Sequence, residues 1–532
     1  MLIVQNVSYI HPNRELLFDN LTFTLPRHAK AALVGDNGSG KSTLLKLIAG
    51  ELLPTKGQII ATESPYYIPQ IFGQYDHLTI AEALHISHKL RALHEILNGQ
   101  VTELNMEILN DDWTIEERCR EALRNWDLPD INLYQSMKQL SGGQKTKVLL
   151  AGIEVHRPSF ILLDEPSNHL DIDSRKKLYD AIADTSATLL AVSHDRNLLG
   201  LLNTVYECNK GKLSTYGGDF VFYMEQKEIE NHAWQHRIQS QEKEIRKAKE
   251  KERENAERQQ KMDARGKKKQ EKAGVARIMM NSLRNQAEQS SSKMKAVHNE
   301  KISGLSKELT ELRAQRPDSD KMKFDFDNSK LHSGKILFQG ENINHVYKDT
   351  ALWPKNLHFQ IKSGDRISLS GKNGSGKTTL INILLGQLAP TQGQISRKTD
   401  HIVYIDQDYS LINNSISVYE QAQTFNQAAW QEHEIKIRLN RFLFDKGTWD
   451  KSCATLSGGE RMRLALCCLT VWREAPEVII LDEPTNNLDI QNTDILTTAI
   501  KDYQGTLLVV SHDAYFLEQI CIEREIRIES SK

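Results

Sequence analysis

The chain repeats itself, and the repeat limits what it can fold into. GDNGSGKST (35–43) returns as GKNGSGKTT (371–379), 336 residues later. LSGGQ (140–144) returns as LSGGE (456–460) after 316 residues, and ILLDEPSNHLD (161–171) as IILDEPTNNLD (479–489) after 318. SHD (193–195) recurs at 511–513, again after 318. A chain of 532 residues exceeds a single core, so the two copies are expected as separate domains of one fold. Gln70 in YIPQ pairs with Gln407 in YIDQ at a spacing of 337, so the spacing changes between Gln70 and Ser141. The first copy therefore carries an inserted arm of about 20 residues, expected at about 84–110.

Each copy reads as α/β. Short apolar runs ending in glycine or aspartate alternate with amphipathic segments, the pattern of a largely parallel sheet. Residues 219–316 contain no proline and are rich in Glu, Lys, Arg, Gln and Ala, which favours long helix. The expected architecture is two tandem α/β domains, 1–218 and 335–532, joined by a helical hairpin over 219–334. Gly266 and Gly274 bracket KKKQEKA and are expected to mark its bend, with the tip at about 261–286. Apolar residues are sparse there (Trp234, Ile238, Ile245, then Ile278, Met279, Leu283, Leu305, Leu309). Much of the hairpin should face solvent or a partner.

The formal charge of −2 hides an asymmetry: residues 226–316 hold 23 Lys+Arg against 14 Asp+Glu. A basic piece between acidic ones points to a polyanion partner, or to a solvated helix face. No run approaches the roughly 18–20 apolar residues of a membrane helix. The longest, 478–481 and Thr506–Val510, have the length of buried strands. MLIVQNVSYI at the start lacks the basic and long apolar segments of a signal peptide. Six cysteines form no CxxC or Cys/His cluster and are expected as reduced core residues of a cytoplasmic protein.

GxxxxGK[ST] after the apolar run 31–34 is a phosphate-binding loop. Gly35, Asp36, Asn37, Gly38, Ser39 and Gly40 in one copy match Gly371, Lys372, Asn373, Gly374, Ser375 and Gly376 in the other. Their backbone N–H groups can surround phosphates, with the positive end of the following helix, at Thr43 and Thr379, behind them. Lys41 and Lys377 are placed for the β- and γ-phosphates of ATP, and Ser42 and Thr378 for Mg2+. Asp164 and Asp482, ending later strands, would hold the same cation. Glu165 and Glu483, one residue on, can orient and polarise an attacking water. A lone strand-terminal Asp-Glu is often a helix cap or a surface pair, but Asp-Glu-Pro occurs in both copies.

Phosphate loop, Gln, LSGGQ, DEP and SHD together resemble the ATP-binding cassette superfamily. The resemblance implies that Gln70 and Gln407 sense the magnesium and the water, and that His194 and His512 contact the γ-phosphate. It implies that Ser141, Gly142, Gly143 and Gln144, and likewise Ser457, Gly458, Gly459 and Glu460, cap nucleotide on the opposite copy. An aromatic under the adenine is also implied. His11 and Tyr347 each stand 24 residues before a phosphate loop; Tyr347 suits stacking, and His11 is a weaker stacker or a surface histidine. Glu460 for glutamine, and Asn487 where the first copy has His169, add asymmetry without removing a catalytic group.

Tandem cassettes, DEPSNHLD in the first and a charged helical linker resemble the ABC-F branch over nearly the whole chain. That branch implies a monomeric cytoplasmic ATPase, without a membrane domain, that pairs its own cassettes. It implies binding at the ribosome's tRNA exit site, with the linker reaching toward the peptidyl-transferase centre and the peptidyl-site tRNA. Lys261, Arg265, Lys267, Lys268, Lys269 and Lys272 crowd the expected tip, and Arg277, Arg284 and Asn285 follow. These suit the phosphates of rRNA and tRNA; no aromatic interleaves them, so shape and charge would be read rather than bases. By the same resemblance, the short arm, the long linker and the absence of a basic extension after His512 imply ribosomal protection against antibiotics. A housekeeping factor relieving stalled ribosomes is the alternative. An ATPase acting on branched DNA and the energising subunit of a membrane exporter are the rivals from other classes.

Overall fold

The short apolar runs become the middle of two parallel sheets. Phe160–Asp164 and Thr188–Val192 are buried at every residue, as strands are when helices cover both faces of a sheet. The computed structural model describes all residues except 13, 71–72, 210, 271–295, 297–299, 311, 313–333, 348–349, 473, 487 and 530–532. Two compact units partition the chain: Met1–Val221 with Lys321–Lys532, and Phe222–Asp320.

In the first copy the strands lie in the order Tyr66–Ile68, Phe160–Asp164, Thr188–Val192, Lys30–Val34, Thr204–Asn209 and Lys212–Tyr216. All neighbours are parallel except the last pair, an antiparallel hairpin. The second copy repeats the order with Ile402–Ile405, Val478–Asp482, Thr506–Val510, Arg366–Ser370 and Arg524–Arg527, all parallel. The strand before each phosphate loop is therefore interior, and the loop leaves from its carboxyl end. A three-stranded antiparallel sheet accompanies each copy: Leu16–Leu25, Leu2–Ile10 and Lys56–Ala61, then Leu357–Lys362, Ile336–Asn344 and Gln392–Arg397. Leu2, Phe18 and Leu25 of the first share one core with Leu33, Leu44 and Leu162, so the helix Lys41–Ala49 is packed between two sheets.

Short helices with capping boxes, Thr79–Glu82 and Ser417–Glu420, open the helical part of each copy. The first copy then adds helices Ser87–Leu97 and Glu103–Leu109 before Ile115–Asn125. The second passes from Val418–Thr424 to Glu432–Arg441, with none between them. Five of the six cysteines are buried, all six are free, and Cys521 is exposed.

The helical unit narrows one expectation. Helix Phe220–Gln270 is continuous over 51 residues and runs through Gly266, so Gly266 does not end it, and the rest of the bracketed stretch, 271–274, lies outside the described residues. A single glycine costs about 1 kcal/mol relative to alanine, and strong helix formers on both sides outweigh that. Residues 300–310 are helical again, and Gln241 Nε2 donates to Glu308 Oε2 at 3.2 Å, so a returning segment lies alongside the long helix. Gly274, Lys272, Arg277, Ile278, Met279, Leu283, Arg284 and Asn285 lie outside the described residues, as does Asn487.

Trp353 shows how the core supports the second phosphate loop. It is 1% exposed, sits beneath Gly376, and its Nε1 donates to Ser375 O at 2.9 Å. Trp353→Ala should cost about 3–5 kcal/mol by opening a cavity and removing that bond. Guanidinium unfolding of the second copy should register it, and Trp353→Phe should recover most of the loss.

Candidate nucleotide sites

Each phosphate loop turns sharply off its strand at a glycine that nothing else can replace. Gly35 has φ +150°, and a Cβ there would lie 2.2 Å from Cys208 O; at Gly371 the values are +155° and 2.5 Å from Ile528 O. Gly40 and Gly376 then enter the helices Lys41–Ala49 and Lys377–Leu385 in the left-handed conformation. The lysines fold back over their loops. Lys41 Nζ donates to Gly35 O (2.7 Å) and Asp36 O (3.0 Å), and Lys377 Nζ to Gly371 O (2.6 Å).

Beside each loop stands a carboxylate pair at the end of an interior strand. Tyr67 OH donates to Asp164 Oδ2 at 3.5 Å and Tyr404 OH to Asp482 Oδ2 at 3.1 Å; Thr378 Oγ1 lies 3.5 Å from Asp482 Oδ2. Glu165 and Glu483 sit in the left-handed region, at φ 51° and 50°, with their N–H groups bonded to Val192 O and Val510 O at 2.8 Å. This conformation is costly for a side-chain-bearing residue and is held by the neighbouring strand. Each glutamate Oε1 lies 3.3 Å from a histidine Nε2, His194 in one copy and His512 in the other.

Around the first loop these residues enclose a cavity of about 420 Å³. Its lining brings together His11, Asn37, Gly38, Gly40, Lys41, Ser42, Thr43, Gln70, Asp164, Glu165 and His194, all singled out in the sequence, with Ser457 from the other copy. Leu17 and Val192 line it too and carry no sequence signal. Tyr67 and Tyr404 do carry one, since each stands three residues before its repeated glutamine. Tyr347, ahead of the second loop, is half exposed and packs edge-on to His345 at 4.7 Å between ring centroids. Gln407 follows the strand Ile402–Ile405 and is half-buried.

The signature segments begin helices Gly142–His156 and Gly458–Val471, capped by Ser141 and Ser457. Both form capping boxes, with Gln144 in one and Glu460 in the other. Either side chain completes that box, which explains why Glu460 replaces glutamine without altering the helix start. Glu460 is also paired with Lys451 at 3.3 Å. Two hydrogen bonds cross between the copies at these places. Asn37 N donates to Asp489 Oδ2 at 3.1 Å, and Asn373 Nδ2 donates to His169 O at 3.0 Å. A Cβ on Gly143 would lie 2.6 Å from His169 O and 3.3 Å from Asn373 Nδ2, so only glycine allows this approach.

A family model described as ABC transporter matches residues 18–168 and again 354–486. The putative ATP-binding protein YdiF of Bacillus subtilis is 31% identical, over 97% of this chain and 78% of that protein. ABC transporter F family member 5 of Arabidopsis thaliana is 28% identical, over 99% of this chain and 74% of its own. The chain belongs to the ATP-binding cassette family, in its F branch. Among solved structures, an archaeal ribosome recycling factor, aABCE1, complexed with the ribosomal stalk protein aP1, shares the fold. It has a TM-score of 0.56 and 19% identity, over 97% of this chain and 86% of that one. Both copies are thus ABC ATPase domains, which bind ATP, normally with Mg2+, and hydrolyse it. Among the described residues, no helix is long and apolar enough to cross a membrane.

The cassettes fit a charged ligand. Among the described residues, Asp164 Oδ1, Glu165 Oε1 and both Glu483 oxygens are buried without a hydrogen-bond partner, a costly condition that a bound cation or water relieves. Burial, then the neighbouring Asp164, raises the Glu165 carboxyl. Burial pushes Glu483 up to about 7 from 4.5, with Arg175 and Lys377 pulling it back. Burial, then Lys41, lowers the His194 imidazole, and burial, then Lys377 and Arg175, lowers His512 to about 3. Both histidines are neutral near pH 7.

A carboxyl raised on folding contributes stability that is present below its unfolded pKa and is lost as pH rises through the folded one. For Glu483 that window runs from 4.5 to about 7. In nucleotide-free protein, Glu483→Gln should therefore gain about 2 kcal/mol over wild type between about pH 5 and about pH 8. Denaturant titrations at the two pH values measure the difference, and an unchanged difference contradicts the raised carboxyl.

Proposed function

We propose that this chain is a clamp with two composite ATP sites that closes on the ribosome. Loop 35–43 works with Ser457, Gly458 and Gly459, and loop 371–379 with Ser141, Gly142 and Gly143. The observation that carries this reading is the pair of bonds crossing between cassettes, together with Ser457 in the wall of the first cavity. Backbone donors at the capped helix starts meet a phosphate that the opposite loop holds, so ATP joins the cassettes and hydrolysis releases them. Ser42, Asp164 and Gln70 in one site, and Thr378, Asp482 and Gln407 in the other, would hold Mg2+, which neutralises phosphate charge. Glu165 and Glu483 polarise the water, while His194 and His512, as neutral imidazoles, meet the γ-phosphate. His11 and Tyr347 stand at the base end.

Membership in the F branch and the basic linker support the ribosome, its rRNA and its tRNA, as the partner in the cytoplasm. The excess of Lys and Arg over 226–316 fits a phosphate-lined channel. Within that reading the short arm and long linker favour ribosomal protection against antibiotics.

The test is sedimentation of the Glu165→Gln, Glu483→Gln double variant through sucrose with ribosomes. ATP-dependent co-migration is expected; a variant that binds ATP yet sediments free of ribosomes overturns the clamp. Replacing Lys267, Lys268 and Lys269 by alanine should weaken ribosome association several-fold while intrinsic ATPase persists. Loss of basal ATPase in that variant would remove the linker from the role given to it.

A further inference from the structure

The cassettes are near-copies, so a charged contact between them that occurs on one side alone is worth explaining. Arg175 lies in the first turn of helix Ile172–Asp184, just after DEPSNHLD. Its Nε donates to Leu170 O at 3.2 Å, which anchors it to its own loop. Its Nη1 crosses to the second cassette and donates to His512 O at 3.3 Å, while lying 3.7 Å from Asp195 Oδ2 in the first. One guanidinium thus joins the SHD loops of both cassettes. It borders a small polar cavity of about 30 Å³, shared by Glu165, His194, Asp195, Thr493 and Asp513.

The repeat places Thr493 at the position equivalent to Arg175, 318 residues on. Thr493 is buried, and its Oγ1 donates to Asp489 O in its own helix at 3.0 Å. Among the described residues, no matching hydrogen bond runs from the second cassette to the backbone of His194. A neighbouring contact has the same one-sidedness. Arg196 pairs with Asp494 at 2.5 Å and lies 4.0 Å from the Tyr515 ring centroid, and its equivalent is Ala514.

We infer that Arg175 of the first cassette is a positioning residue for the second ATP site, acting across the interface by holding the backbone of His512. The inference rests on the two-site reading above. The carbonyl it grips belongs to the histidine 3.3 Å from Glu483, so a shift of that loop displaces both groups. A planar fork anchored at Leu170 holds such a geometry better than a flexible ammonium. Among the described residues the first site has no equivalent grip, so the two sites differ in how their histidine loops are held when the cassettes meet.

Steady-state ATPase in single-site backgrounds tests this. Glu165→Gln leaves the second site to hydrolyse, and Glu483→Gln leaves the first. Arg175→Gln should lower kcat about tenfold in the Glu165→Gln background, with KM for ATP within about twofold. The loss should be at least about threefold smaller in the Glu483→Gln background, and Arg175→Lys should restore part of it. Arg196→Gln, which breaks the neighbouring contact without touching His512, controls for a loosened interface. Equal losses in the two backgrounds, or a matching pattern for Arg196→Gln, overturn the role of Arg175. So does an unchanged kcat in the Glu165→Gln background. If Glu165→Gln has no ATPase above the Glu165→Gln, Glu483→Gln double variant, the two-site reading fails and Arg175 falls with it.

Discussion

One carboxylate in this protein serves two masters, and the meeting of the cassettes depends on it. Asp489 caps its own helix through Oδ1, which accepts from Asn492 N at 2.8 Å. Its Oδ2 accepts from Asn37 N, in the phosphate loop of the other cassette. The contact is polar and reaches into a loop whose N–H groups suit phosphate. A bond to a charged carboxylate contributes only about 1.5–3 kcal/mol net, because water replaces it when the cassettes part. Contacts of this kind set the register of closure and leave the driving force to whatever binds between them.

The reacting groups are kept in conditions that folding alone would avoid. Glu165 and Glu483 adopt a left-handed backbone, and oxygens of both are buried without a hydrogen-bond partner among the described residues. Strain and unpaired polarity of this kind persist where the surrounding core over-determines them. Here the over-determination comes from the neighbouring interior strand, with Glu165 N tied to Val192 O and Glu483 N to Val510 O. The rigidity of the sheet is what allows the carboxylates to remain available.

Much of this was legible in the sequence because it is repeated. The phosphate loops, the Asp-Glu pairs, the signature serines and the SHD histidines recur in register, and around the first loop they converge on one cavity. The left-handed glutamates were not legible, since nothing local favours that conformation for a carboxylate residue. Gly266 does not interrupt the long helix, because the helix formers around it outweigh one glycine. Arg175 and Arg196 escaped for another reason. Their partners, His512 and Asp494, stand 337 and 298 residues away, and neither arginine has a counterpart in the repeat, so periodicity could not expose them.

The same two arginines say something about the history open to this chain. A symmetric dimer of the first cassette would face each Arg175 with another Arg175, and each Arg196 with Lys176 where Asp494 now stands. A dimer of the second would offer threonine and alanine, and no cross-bracing cation. Neither homodimer reproduces the interface seen here. Once those side chains diverged, the two halves became complementary rather than interchangeable, and keeping them on one polypeptide guarantees that each meets its unlike partner.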